Sequence, residues 1–254
     1  MLPQSTNPED QVRHIYQALL SAWGPQHWWP AQSRFEVIVG AYLTQNTAWT
    51  NVERAMTKLR GAHVLTLDGI RQIPLAELEA LIRPAGYFRQ KAARLKRFIA
   101  FLDARYDGSL TRMFAQPTAE LRAELLGLNG IGPETADSIL LYAGNHPMFV
   151  VDAYTRRILH RHGILPAAAA YDEIRSLVER AIVGMPAPVP KAAPSPLAHS
   201  PSRISRARRS AASQHFNDLH GLIVSVGKLH CHKTSPKCVG CPLAPFLNGC
   251  EPAV

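Results

Sequence analysis

The sequence predicts an all-α fold. Apolar residues recur at the three- and four-residue spacing of a helix face through most of the chain. No run alternates apolar and polar residues as a half-buried strand does. Capping residues, first-turn prolines and glycines stand where the periodic runs begin and end. With 254 residues, 46% of them hydrophobic, the chain is long enough to bury one large core or two modest ones.

The elements follow in order. Asn7, Pro8, Glu9 and Asp10 open a helix whose apolar face is Val12, Ile15, Leu19 and Trp23. Ser33 and Glu36 have the spacing of a capping box ahead of Phe35, Val37, Ile38, Val39 and Tyr42, a segment apolar all round and therefore expected to be buried on every side. The run 47–59 is amphipathic, with Val52, Ala55, Met56 and Leu59 on one face. Further helices fit 75–82, 90–104, 118–126, 133–143, 153–162, 172–183 and 215–227.

One segment breaks the pattern. Residues 186–212 hold six prolines, many alanines and serines, no acid, and the basic residues Lys191, Arg203, Arg206, Arg208 and Arg209. Such a composition buries too little apolar surface to offset the entropy of ordering, so a disordered basic linker is expected, either an inert spacer or a strand that follows a polyanion.

The formal charge of +9 and a pI near 9.7 point to a polyanionic partner, because basic proteins release counterions when they dock on phosphates. A merely solvated basic surface is the other reading. Seven basic residues against the single acid Asp103 between Arg83 and Arg105 mark one candidate backbone-binding face. Residues 1–11 carry no basic region followed by an apolar run, and no stretch approaches the ~18 apolar residues of a membrane span, so a cytoplasmic, nucleoid-associated location is expected. All four cysteines fall between Cys231 and Cys250, a grouping that in a reducing compartment is more often metal-binding than disulfide-bonded. By spacing alone they suit structural zinc as well as an iron–sulfur cluster.

Two further places carry chemistry. Leu128-Asn129-Gly130-Ile131-Gly132-Pro133 joins two helices by a glycine-rich turn. Glycines allow positive φ and close approach of a phosphate, and the following helix start presents outward amides at its positive dipole end. Alone, such a turn is equally an ordinary helical corner. Asp152 stands just before a helix, where it suits an N-cap.

Together these motifs resemble those of the endonuclease III, or helix–hairpin–helix DNA glycosylase, superfamily. The run from Leu126 to Asp137 is similar to its hairpin, and Phe149 to Arg157 to the segment that bears its catalytic aspartate. Glu134 and Asp152 are 18 positions apart, as in the family, and Cys231, Cys238, Cys241 and Cys250 resemble its iron–sulfur loop, with a longer last gap. The pieces Trp28-Trp29-Pro30, Leu43-Thr44-Gln45-Asn46-Thr47, Trp49 and Pro84 to Phe88 with Lys91 look like the branch containing 3-methyladenine DNA glycosylase III.

The resemblance implies two helical domains flanking a DNA-binding cleft: a helical-barrel domain over 28–146 that ends in the helix–hairpin–helix, and a second domain from 1–27 and 147–254 with a C-terminal [4Fe-4S] loop. It implies a monomer that flips a damaged base out of double-stranded DNA, since the glycosidic bond is unreachable inside a stacked duplex. Asp152 and Glu134 are the catalytic candidates, Gly130, Ile131 and Gly132 grip the backbone, and Gln45 or Asn46 fills the gap left by the flipped base. Trp28, Trp29, Pro30 and Trp49 line the base pocket. Glu134 stands where bifunctional members carry a lysine, and a carboxylate forms no Schiff base, so the expected chemistry is hydrolysis by water. Glu134 is otherwise an exposed acid at a helix start. The substrate expected is an alkylated purine. The alternatives are an enzyme for oxidised pyrimidines, with or without lyase activity through another amine such as Lys91, and a non-catalytic DNA-binding paralogue.

Overall fold

The structure, a computed structural model, describes residues 7–186 and 197–247. Among these residues there are helices and turns and no strand. None of their helices is long and apolar enough to cross a membrane. The chain divides into two compact units, Ala31–His146 and the segments before and after it.

The first helix of the outer segments, α1 (Pro8–Trp23), begins where Asn7 accepts a hydrogen bond from the Glu9 amide at 3.0 Å and ends at Gly24. In the central unit, α2 (Arg34–Thr44) starts at Ser33, whose hydroxyl accepts from the Glu36 amide, while the Glu36 carboxylate accepts from the amide of Gln32. Val37, Ile38 and Val39 are fully buried, as a helix apolar on all sides requires. Then come α3 (Trp49–Gly61), α4 (Leu67–Gln72), α5 (Leu75–Ile82), α6 (Phe88–Tyr106) and α7 (Leu110–Met113). The unit closes with α8 (Thr118–Leu126) and α9 (Pro133–Ser138), which runs on through a π-helical turn, Ile139–Ala143. Val52, Leu59, Leu78, Ile82, Phe98 and Leu121 are fully buried in this unit, each worth about 1.5–3 kcal/mol of burial.

The outer segments continue with α10 (Ala153–Arg161), α11 (Tyr171–Ile182) and α12 (Ala211–Leu229). Every residue of α12 from His215 to Gly227 is buried, so this helix is the axis against which α1, α10 and α11 pack.

The expectation of disorder across 186–212 is corrected over 197–212. Ala211 and Ala212 open α12, capped by Ser210. The turns ahead of them are pinned: Ser202, 5% exposed, donates to the Trp29 carbonyl at 3.2 Å, and Arg209 donates to Ile204 O at 2.8 Å. Composition missed this because hydrogen bonds from His199 and Ser202 to Gln26 and Trp29, with the ring contact of His199 on Trp28, hold the segment in place of an apolar face. Residues 187–196, with Lys191, lie outside the described residues.

Candidate active site and nucleic-acid interface

In the central unit, the turn between α8 and α9 is built as a hairpin. The Ile131 amide bonds Leu128 O at 3.0 Å, and Gly130 sits at φ +86°, a region that only glycine adopts without strain. Arg94 from α6 packs on Gly130 so closely that a Cβ there would lie 2.0 Å from its Nε. Gly132 differs. Its backbone is extended and a Cβ there would meet nothing within 4 Å. Ile131 is buried, Pro133 opens α9, and Glu134 is exposed in its first turn. Behind the turn, Arg122 of α8 grips the fully buried Asp137 of α9 through two bonds, at 2.7 and 3.2 Å. That pair ties α8 to α9 behind the turn.

Gln45 and Asn46 have different surroundings. The Gln45 amide donates to Gly130 O at 2.8 Å and Thr135 Oγ1 at 3.0 Å, and its carbonyl accepts from Arg94 at 2.8 Å. Asn46 is exposed, in the left-handed region at φ +51°. Lys91 is 1% exposed and its ammonium donates to Leu43 O, Thr47 Oγ1 and Ala85 O at 2.7–2.9 Å. Burial pulls it down to about 8, with help from Arg94. Lys91 thus ties the 43–47 and 83–87 loops together, with all three N–H donors engaged. On the second loop Tyr87 is 67% exposed and also left-handed, at φ +45°. Exposed Asn46 and exposed Tyr87 are therefore carried by loops held to one buried cation. Trp49 is half-buried at the start of α3 and donates to Glu53 at 2.8 Å.

In the other unit, Asp152 is the N-cap of α10. Its Oδ1 accepts from the Thr155 amide at 2.7 Å and the Thr155 hydroxyl at 2.9 Å. Burial works to raise its pKa, but the neighbouring His220 ring and the Thr155 donors overcome this and hold the carboxyl below its ordinary value. His220 Nε2, on α12, lies 3.6 Å from Asp152 Oδ2. Trp28 and Trp29 are buried, at 8% and 6% exposure, and Pro30 is half-buried. The Trp28 ring lies 5.1 Å from that of His199, and the Lys228 ammonium sits 5.8 Å over it.

Cys231, Cys238 and Cys241 line one cavity of about 500 Å³ together with His160, Arg161 and His230. Arg161 donates to Cys231 Sγ at 3.1 Å and to His232 O, and Arg157 donates to Cys231 O. Burial pushes the Cys241 thiol up, and the thiols of Cys238 and Cys231 add to it. Among the described residues, no group of three His, Cys, Asp or Glu converges on a single metal-ion position. Cys250 lies outside the described residues.

Residues 39–182, more than half of the chain, match the HhH-GPD superfamily of base excision DNA repair proteins. The chain belongs to that superfamily. As an HhH-GPD protein it is 40% identical to MJ1434 of Methanocaldococcus jannaschii, assigned as a DNA repair glycosylase, over 94% of this chain and 97% of that one. The crystal structure of Helicobacter pylori 3-methyladenine DNA glycosylase bound to 1,N6-ethenoadenine superposes with a TM-score of 0.68 at 27% identity, covering 87% of this chain and 97% of that one. A trapped endonuclease III–DNA covalent intermediate superposes at 0.71 and 22% identity, covering 97% and 96%, which shows the shared fold.

In this HhH-GPD protein, sequence reasoning missed His220, Arg94 and the Arg122–Asp137 pair. No local spacing signals them, because each meets its partner from another helix. The DNA glycosylase activity of base excision repair follows from the family.

Proposed function

We propose that this glycosylase is monofunctional and releases alkylated purines by hydrolysis, with Asp152 as the catalytic carboxylate. The observation that carries the proposal is Asp152 itself: a carboxylate only 13% exposed and held in its ionised form, with Oδ1 tied into the α10 cap and Oδ2 facing His220. An ionised carboxylate in a low-dielectric site stabilises the oxocarbenium-like sugar as the base departs and can take a proton from the attacking water. Two observations argue against a lyase. Glu134 offers no amine, and the amine of Lys91 is buried among three acceptors.

On the DNA side, the bare Gly132 and the amides at the start of α9 suit a phosphate, which needs close approach rather than a side chain. Asn46 is the better candidate than Gln45 for the gap left by the flipped base, because Gln45 already braces the hairpin with both ends of its amide. For the base, Trp28, Trp29 and Pro30 are the candidates on the unit that carries Asp152, and Trp49 is the candidate on the central unit. A cationic base is favoured over an aromatic face by on the order of 1 kcal/mol or more. Since Lys228 already lies over Trp28, a cationic base and Lys228 exclude each other from that face. The likeness to 3-methyladenine DNA glycosylase supports the substrate class.

Cys231, Cys238 and Cys241 line one cavity, and with Cys250 they are the four thiols proposed to hold the cluster. A bound [4Fe-4S] cluster supplies a cross-link between distant parts of the loop and a redox-active centre. Iron analysis and an absorbance band near ~400 nm test it; zinc without iron would reject it.

A panel of duplexes, each with one lesion, tests the substrate class. Release of 3-methyladenine and related cationic purines is the expected result. Release of thymine glycol alone would move the enzyme to oxidised pyrimidines.

A further inference from the structure

We propose that His220 is a positioning residue that sets the direction of the reactive oxygen of Asp152; this rests on the reading of Asp152 as the catalytic carboxylate. Asp152 Oδ1 is held by the two donors of Thr155, which fixes one end of the carboxylate but leaves rotation about its bond to the helix cap. The only histidine beside Oδ2 among the described ion pairs is His220, with Nε2 at 3.6 Å. An Nε2–H pointing at Oδ2 completes a three-donor cradle around the carboxylate. Catalytic hydrogen bonds are commonly long in the free enzyme and shorten in the substrate complex.

His220 is closely packed. The residue is 5% exposed in the middle of the buried helix α12, and its ring meets the ring of Phe149 edge-on, with centroids 6.2 Å apart. Phe149 is itself fully buried and packs on Phe216, one turn earlier on the same helix. An imidazole placed there loses its hydration, a loss that leucine of similar volume would not incur. Packing alone therefore gives no reason for a histidine, whereas the adjacent carboxylate does. Its task is geometric: a displacement of about 1 Å at a reacting group lowers a rate by roughly 100-fold.

Two measurements test the proposal. A long-range proton–nitrogen NMR spectrum of the free protein reads the His220 tautomer directly, whatever the substrate. A proton on Nε2 supports the proposal; a bare Nε2 with the proton on Nδ1 overturns it. In single-turnover release of 3-methyladenine, His220→Leu is expected to slow the chemical step between about ten-fold and about 100-fold with duplex affinity unchanged. His220→Gln, whose amide N–H can take the same place, should recover most of the rate. Equal rates for wild type and His220→Leu, or no recovery with His220→Gln when both variants melt as the wild type does, would overturn it. Wild-type rates in Asp152→Asn would instead sink the catalytic reading of Asp152, a separate failure.

Discussion

Asp152 combines two jobs in one side chain. As an N-cap it contributes about 1 kcal/mol to α10, and an asparagine performs that job almost as well. As a negative charge it has no substitute, so Asp152→Asn should keep the fold and duplex affinity, at a modestly lower thermal midpoint, while base release falls by at least about 100-fold. Wild-type turnover in that variant would reduce Asp152 to a cap. Asp218 behaves in the opposite sense. Burial pushes its carboxyl up to about 6, against 3.8 for the ordinary value, partly offset by the Gln214 bond and by Arg209. Between those two values the folded protein binds more protons than the unfolded one, so this group makes stability fall as pH rises through about 4 to 6. The displacement corresponds to about 3 kcal/mol at full ionisation. Subtracting the melting curves of Asp218→Asn from those of the wild type over this range should recover that slope. Asp152 does not confound it, because its contribution is lost only as pH falls below the ordinary carboxylate range. An identical pH profile for the two proteins would mean that Asp218 is not buried as a carboxylate.

The two hairpin glycines separate folding from binding. Gly130→Ala puts a Cβ at positive φ and into the Arg94 guanidinium, so it should destabilise by about 2 kcal/mol or more and loosen the hairpin. Gly132→Ala adds a methyl group to open space on an extended backbone; the thermal midpoint should hold while duplex affinity drops. Unchanged duplex affinity in Gly132→Ala would show that no phosphate approaches there. Some helices were legible to the residue: 75–82 and 118–126, each opening after a proline, have the bounds the sequence suggests. Missed were α4 and α7, of six and four residues, too short for a periodic face. Their signal lay instead in the caps Thr66 and Ser109, each accepting from the amide three residues on. Likewise α12 begins earlier than its apolar run, because the Ser210 cap and buried Ser213 extend it into a segment that composition marks as unstructured. Local pattern marked Asp152 as a cap and the cysteines as a metal-binding group, and only the family resemblance gave them their further roles, whereas His220, Arg94 and the Arg122–Asp137 pair exist only as contacts between separate elements.

On the scale of the whole molecule, the net charge of +9 suits a partner with many phosphates. Duplex binding should therefore weaken steeply with salt. Arg203, Arg206 and Arg208 are exposed on the otherwise anchored turns before α12. Replacing these three by serine should reduce the salt slope by up to about three contacts, and an unchanged slope would show that the turns do not touch DNA. The account as a whole turns on hydrolysis without strand cleavage. The most direct measurement incubates the enzyme with a duplex holding one 3-methyladenine and analyses the strands with and without hot alkali, alongside a borohydride-treated sample. The account predicts free 3-methyladenine, strand breaks only after alkali, and no trapped covalent complex. Strand breaks without alkali, together with a trapped complex, would contradict it.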